Sequence, residues 1–323
     1  DLSLPNTLIG SVLRSPHAHA KIKSIDVSGA LSIKGVYAAI TSDDFASPDG
    51  DVGGEAGGSA SDLAKNVMAT DKVLYHGHAI AAIAASTKEI ADLALDAIVV
   101  EYDVLKPVLD IDEAMQDGAP LLDPNCYTQN LPEKPEHASN IASVMQLSGG
   151  DLEEGFSAAD FIVEGDYNIP MAHQGYIEPH ACTATINEAG QATVWCCTQG
   201  HFEFRSMTAA LLGMNIADLK FIASEIGGGF GGKTVVYLEP VAVLLSKKSG
   251  RPVKMTMSRE EVFRATGPTS GTHCKVKVGA KKDGTLTAAS AWLAYEAGAF
   301  AGAPMGPGAM CIFAPYKIEN FFV

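Results

Sequence analysis

Apolar and polar positions alternate with two periods along this chain, and the changes of period mark its elements. Leu8 to Val12 alternates as a strand, Ser15 to His19 turns, and Lys21 to Asp26 is an amphipathic strand with Ile22 and Ile25 toward the core. Residues 27–34 form a short helix stopped by Gly35, and Val36 to Ile40 continues the pattern. From Ala46 to Ala60 the pattern gives way to Gly, Asp and Ser, which predicts a mobile loop. Order returns at Val73-Leu74-Tyr75 and the apolar strand Ala79 to Ala85. Ser86-Thr87-Lys88-Glu89 then reads as a capping box opening a helix with Ile90, Leu93, Ala94 and Ala97 on one face, followed by a strand from Ile98 to Tyr102. Residues 1–117 therefore read as a small mixed α/β domain, and Gly118 to Ser139, with four prolines and no period, as a linker at 118–139.

The second domain, 140–323, opens on the acidic helix start Asp151-Leu152-Glu153-Glu154 and a strand from Phe161 to Gly165. Alternating strands follow at Ala181 to Ile186 and Ala192 to Thr198, joined by a turn at Asn187 to Gly190. Phe202 to Leu212 has helical spacing and Gly213 as its stop. Ser258 to Glu261 is another capping box, and Cys274 to Val278 pairs with Thr285 to Ala289 across Lys282-Asp283-Gly284. Gly298 to Gly308 reads as a loop whose length suits binding.

One stretch breaks both periods. Glycine fills five of the six positions from Gly227 to Gly232, with Phe230 the exception. Glycine is retained at such density where the backbone needs positive φ or close approach by another group. Leu219 to Ala223 reads as the strand that leads in, and Val235 to Ser246 as an apolar helix broken by Pro240, a geometry that can cradle an anion. Gly227 to Thr234 also meets the phosphate-loop spacing, with Lys233 on phosphate and Thr234 on magnesium. That reading lacks a metal-binding Asp on a later buried strand, since Asp283 sits in a hairpin. Gln199, at the end of the strand that runs into Thr198 and just before Gly200, places an amide at a strand end in the same domain.

The net charge of −15 disfavours nucleic acid and anionic membranes. The six cysteines include no C-x-x-C pair, which argues against zinc ribbons, iron–sulfur ligation and a disulfide framework. Cys196 and Cys197 point to opposite strand faces and read as packing residues. His173, Glu178 and His180 meet no metalloprotease spacing, and the pairs His17/His19 and His76/His78 read as surface histidines near turns. No metal ligand is expected directly from side chains in this segment. No signal peptide or bilayer-length apolar run is present, so a cytoplasmic setting is expected, and the ends at Asp1 and Val323 suggest part of something longer.

The residues together resemble the molybdopterin-binding subunit of the xanthine dehydrogenase and aldehyde oxidoreductase family, the molybdenum hydroxylases. Ser15 to Ala20, Ile25-Asp26, Gly35-Val36 and Ile98 to Val108 resemble its small α/β hammerhead domain. Glu178-Pro179-His180, Thr198-Gln199-Gly200, Gly227 to Lys233, Gly250 to Val253, Ser258 to Glu261 and Lys282-Asp283-Gly284 resemble its signatures in order. The resemblance implies an α+β fold, a hammerhead domain followed by the first half of a mixed α/β molybdopterin-binding domain. It implies oxidation of an aldehyde or N-heteroaromatic carbon with water as the oxygen source, with electrons passing to [2Fe–2S] and FAD on partner chains. It places Gln199 as a donor to an oxygen on molybdenum and Phe230 in the substrate cavity, with Gly228, Gly229, Phe230 and Gly231 against a molybdenum–molybdopterin cofactor, of which the cytosine dinucleotide is one form. The family's glutamate general base has no match before Val323. It would come from a C-terminal remainder of the same polypeptide or a second molybdopterin chain, so this segment alone is expected to be inactive. Thr234 stands where purine-oxidising members carry an acidic residue. The rival expectations are a phosphate-loop nucleotide module and a non-catalytic scaffold of the same fold.

Overall fold

The computed structural model describes residues 2–46, 59–300 and 302–323. They pack as two compact units, Asp1–Pro107 with His173–Pro268 and Val108–Ala172 with Thr269–Val323, so packing cuts across the chain-order division at 117 and 139. Most of the expected loop from Ala46 to Ala60, residues 47–58, lies outside the described residues.

The first unit is built on a seven-stranded mixed sheet. Its order is Leu219–Ala223, Ala192–Cys196, Ala181–Ile186, Val253–Thr256, Leu8–Arg14, Ala79–Ala85 and Val36–Ile40. Ala79–Ala85 is buried at every position, which explains its unbroken apolar run. Ala81, Ile83 and Ala85 pack with Ala91 and Ala94 of the helix Lys88–Asp96, while Ala82 and Ala84 join the main core with Val241, Val243 and Leu245 of the helix Glu239–Ser249. A smaller sheet orders Lys72–Val73, Ala20–Asp26 and Val99–Val104.

The Ala192–Cys196 and Leu219–Ala223 strands run parallel, Ala192 opposite Leu219, and the helix His201–Leu212 lies between them in the chain. That crossover unit positions the glycine run: Gln199 follows the first strand and Ser224 the second. Gly213 ends the helix at φ 59°, the left-handed turn expected of a glycine stop.

The second unit is a five-stranded sheet ordered Ser148–Gly149, Phe321–Phe322, Leu286–Tyr295, Thr272–Ala280 and Phe161–Ile169. The last three are antiparallel, and the hairpin turn carries Gly284 at φ 88°. Asp151 caps the helix Leu152–Ser157 by accepting from the Glu154 N–H, as its acidic start predicts.

Local expectations fail in four places. The helix after the glycine run starts at Glu239, not Val235, with Pro240 in its first turn, where a missing N–H breaks no hydrogen bond. Ala60–Val67 is an unexpected helix, capped by Ser59 and Asp62 beside the glycine-rich stretch that hid it. Met305–Cys311 is helical within the stretch read as a loop. The cap before Lys88 is Thr87 rather than Ser86. No helix among the described residues is long and apolar enough to cross a membrane.

Candidate functional site

The glycine run leaves the Leu219–Ala223 strand and folds into a tight turn, the Gly232 N–H donating to the Gly229 carbonyl at 2.7 Å. Its central residues, Phe230 and Gly231, have φ of 49° and 85°. Two consecutive positive φ values are the mirror image of the ordinary turn and favour Gly, Asn or Asp. A bulky residue there is strained by about 1–3 kcal/mol. Phe230 nevertheless occupies it, 73% exposed as a residue. The turn holds an exposed aromatic residue in a strained conformation, its ring over Gly228.

The surrounding glycines are fixed by close approach. A Cβ on Gly228 would lie 3.1 Å from the Phe230 ring, and one on Gly229 would lie 2.4 Å from Gln199 Oε1. A Cβ on Gly227 would lie 2.7 Å from that of Glu178, and one on Gly232 2.7 Å from the Tyr176 ring. Gly231 differs: nothing lies within 4 Å of the position its Cβ would take. The backbone is therefore packed from behind and open at Gly231.

Gln199 is tied to this turn by its own amide. Its Oε1 accepts from the N–H groups of Gly231 at 3.0 Å and Lys233 at 3.1 Å, and its backbone N–H donates to the Lys233 carbonyl at 3.0 Å. Two donors on one atom fix which end of the amide is oxygen. The Nε2 group is left as a donor with no partner among the described residues, on a residue that is exposed overall. The five residues singled out in the sequence, Gln199, Gly228, Gly229, Phe230 and Gly231, are thus brought together.

Lys233 is not where a phosphate loop would put it. Its side chain is fully buried, with Nζ 2.8 Å from Glu178 Oε2 and 5.0 Å from the centre of the Tyr176 ring. Thr234 Oγ1 donates to the Gly231 carbonyl at 3.0 Å, and the next helix begins five residues later. The phosphate-loop reading is not supported here, because the ammonium is buried against Glu178, the hydroxyl is bonded within the turn, and the helix does not start directly after the lysine. Burial pushes the Glu178 carboxyl up, but the Lys233 ammonium and the Gly227 N–H outweigh it and hold the carboxyl below its usual range.

Behind the turn sits a buried polar chain that sequence spacing did not reveal. The Tyr176 hydroxyl lies 2.7 Å from His180 Nε2 and 3.2 Å from Thr266 Oγ1, which is 2.8 Å from His173 Nε2. Burial, with the Lys233 charge second, pushes His180 down to about 3, so it stays neutral beside the Tyr176 hydroxyl. His19 and His78 are buried, contrary to the surface reading. His78 Nε2 lies 2.7 Å from the Lys65 carbonyl, and the Leu74 N–H donates to its Nδ1. Cys196 and Cys197 are buried thiols with raised pKa, as packing residues should be. Among the described residues no group of three or more His, Cys, Asp or Glu side chains is placed to hold a metal ion. The turn offers an unpartnered amide donor on an exposed residue, an open glycine backbone and an exposed aromatic residue. That set suits a bulky ligand with oxygen acceptors.

Residues 133–323 match a family model described as the molybdopterin cofactor-binding domain, and residues 1–106 match the aldehyde oxidase and xanthine dehydrogenase a/b hammerhead domain. The chain belongs to the xanthine dehydrogenase and aldehyde oxidoreductase family. It is 36% identical over 305 residues to a probable hypoxanthine oxidase of Escherichia coli strain K12, covering 86% of this chain and 31% of that protein. It is 34% identical to a probable xanthine dehydrogenase subunit of Bacillus subtilis, covering 99% of this chain and 41% of that one. The nicotinate dehydrogenase large molybdopterin subunit of Eubacterium barkeri is 31% identical, with coverage of 99% and 71%. The aldehyde oxidoreductase of Desulfovibrio gigas superposes with a TM-score of 0.81 at 24% identity, over 99% of this chain and 35% of that one, which supports the fold. This chain spans well under half the length of the first two relatives. The α+β expectation of a hammerhead domain and a molybdopterin-binding domain therefore holds.

Proposed function

We propose that this chain forms the first half of the cofactor site of a molybdenum hydroxylase that oxidises an N-heteroaromatic or aldehyde carbon with water as the oxygen source. The observation that carries the reading is the Gln199 amide: its Oε1 is held by two turn N–H groups, which leaves its Nε2 donor, on an exposed residue beside the open Gly231 backbone, without a partner among the described residues. The residues fit the group. An oxo-rich ligand needs a directed donor, and a bulky pterin-bearing ligand needs a backbone without side chains at the point of approach.

When bound, the molybdenum–molybdopterin cofactor would supply the two-electron oxidation and accept the substrate's electrons. Gln199 would donate through Nε2 to an acceptor oxygen on the group, and its pre-set orientation removes the need to reorganise during the reaction. The backbone of Gly228, Gly229 and Gly231 would seat the cofactor. Phe230, exposed in the turn, would face a flat substrate ring and exclude water beside it. Relatives named for hypoxanthine, xanthine and nicotinate favour an N-heteroaromatic substrate over an aldehyde. Thr234, whose hydroxyl is committed to the turn, would not contact it as an acidic residue could.

The general base and further pterin contacts would come from a C-terminal remainder or a second molybdopterin chain, and [2Fe–2S] and FAD from partner subunits in the cytoplasm. The names of three relatives, one called a subunit, one a large molybdopterin subunit and one a large chain, describe members of multi-subunit assemblies. The test is to assay the assembled complex on nicotinate-type, purine and aldehyde substrates in H2¹⁸O. Heavy oxygen in a hydroxylated heteroaromatic product is expected. Product without it, or no oxidation with molybdenum bound, would overturn the reading.

A further inference from the structure

The lysine that closes the glycine run has no role in the cofactor reading, and neither does the glutamate that neutralises it. Their geometry gives them one. Glu178 holds both ends of the run. Its Oε2 accepts from the Gly227 N–H at 2.8 Å and from Lys233 Nζ at 2.8 Å, and its backbone N–H donates to the Gly227 carbonyl at 3.3 Å. Lys233 in turn holds Gln199. Its N–H donates to Oε1, and its carbonyl accepts from the Gln199 N–H at 3.0 Å and from the Thr198 hydroxyl at 3.4 Å. A continuous path therefore runs from the Glu178 carboxylate through the buried Lys233 to the amide whose Nε2 has no partner among the described residues.

We infer that the Glu178–Lys233 ion pair is a positioning device that sets the orientation of Gln199 and the spacing of the Gly227–Lys233 turn. The inference rests on the cradle reading for its consequence but not for its mechanism. Lys233 is fully buried while the Glu178 side chain stays 33% exposed; a buried charge left without its partner is strongly destabilising, whereas well-packed apolar residues of similar size often serve as well as a pair. Here the pair lies directly behind the turn that holds the Gln199 amide, and each partner makes further bonds to that turn. Tyr176 flanks the same lysine with its ring and packs against Gly228 and Gly232 of the turn. A lysine free to move would release both of its backbone bonds to Gln199, and the amide could then rotate.

The test uses the full-length protein in its complex, with Glu178→Gln, Lys233→Met and the double substitution compared with wild type. Glutamine keeps the acceptor for the Gly227 N–H, and methionine fills the volume of the lysine stem. Glu178→Gln leaves the fully buried Lys233 ammonium without its counter-charge and should lose thermal stability, while Lys233→Met leaves a partly exposed carboxylate and should lose less. The double variant buries no unpaired charge and should regain it. The positioning role predicts that stability returns while the device does not. In the double variant, hydrogen exchange at the Gly231 and Lys233 amides should be about tenfold faster than in wild type, and molybdenum and pterin per chain should fall several-fold. Restored stability with unchanged exchange at those two amides would overturn the inference, whatever the cofactor content. A single variant that fails to fold leaves the double to decide. Wild-type complex without molybdenum would sink the cradle reading, while the exchange comparison would still decide the clamp.

Discussion

Gly231→Ala isolates the open side of the turn. At φ 85° an alanine is strained by about 1–2 kcal/mol, the general penalty for an L-residue in the left-handed region. No atom lies within 4 Å of the new methyl, so no steric term adds to it. Gly190 supplies the control. It lies in the same unit, in the hairpin turn Asn187 to Gly190, at φ 82° and with nothing within 4 Å of its Cβ position. Gly190→Ala and Gly231→Ala should therefore lower Tm by similar amounts, about 2–8 °C for a unit of this size. Only Gly231→Ala puts a methyl group where the cofactor would approach. Each variant would be purified in its complex, melted by differential scanning fluorimetry and assayed for molybdenum by elemental mass spectrometry. The expected result is matched Tm shifts with molybdenum lost from Gly231→Ala alone. Equal molybdenum in the two variants would refute the claim that the open side of Gly231 faces the cofactor.

Other expectations follow from the same geometry. Gln199→Glu keeps the acceptor for the two turn N–H groups and removes the Nε2 donor, so Tm should stay within about 2 °C. Turnover per bound molybdenum should then fall by about 10²–10³, as for loss of one directed donor. Tyr176→Phe removes the hydroxyl that partners His180 Nε2 and should lower stability by about 1–3 kcal/mol. It keeps the Cβ contact at Gly228 and the ring packing at Gly232, so cofactor content should be unchanged. Glu239 is fully buried, and burial, only partly offset by nearby backbone N–H groups, raises its carboxyl from 4.5 to about 7. Between those values the unfolded chain has lost this proton while the folded chain keeps it, so folding stability falls as pH rises from 4.5 through about 7. Above that the loss is on the order of 3 kcal/mol. Urea titrations at pH 4 and 8 should show Glu239→Gln stabilised relative to wild type at pH 8 and nearly unaltered at pH 4.

What could be read from the chain was what depends on neighbours in sequence. Gly213 and Gly284 marked a helix end and a hairpin because positive φ there is a local demand. The unbroken apolar run Ala79–Ala85 marked a strand buried on both faces. The glycine run and Gln199 stood out, and the structure brings them together through bonds across 32 and 34 positions. What could not be read depends on partners far apart in the chain. Lys233 turns inward because Glu178, 55 residues away, waits there, so the same Gly-Lys-Thr spacing that suggests a phosphate loop serves another purpose. His78 looked like a surface residue because its acceptor, the Lys65 carbonyl, belongs to a helix hidden beside a glycine-rich stretch. Pro240 looked like a break in a helix because the preceding residues are apolar. Their burial in the main core, not a helical turn, explains those apolar positions.

The central claim is that this turn seats a molybdenum cofactor, and the most direct test is to measure molybdenum and oxidised-pterin fluorescence in the native complex that contains the chain. The account predicts about one molybdenum and one pterin per chain, matching the cradle formed by the Gly227–Lys233 turn. A fully assembled complex with neither would contradict it, and would leave a non-catalytic scaffold of the same fold as the role for the chain.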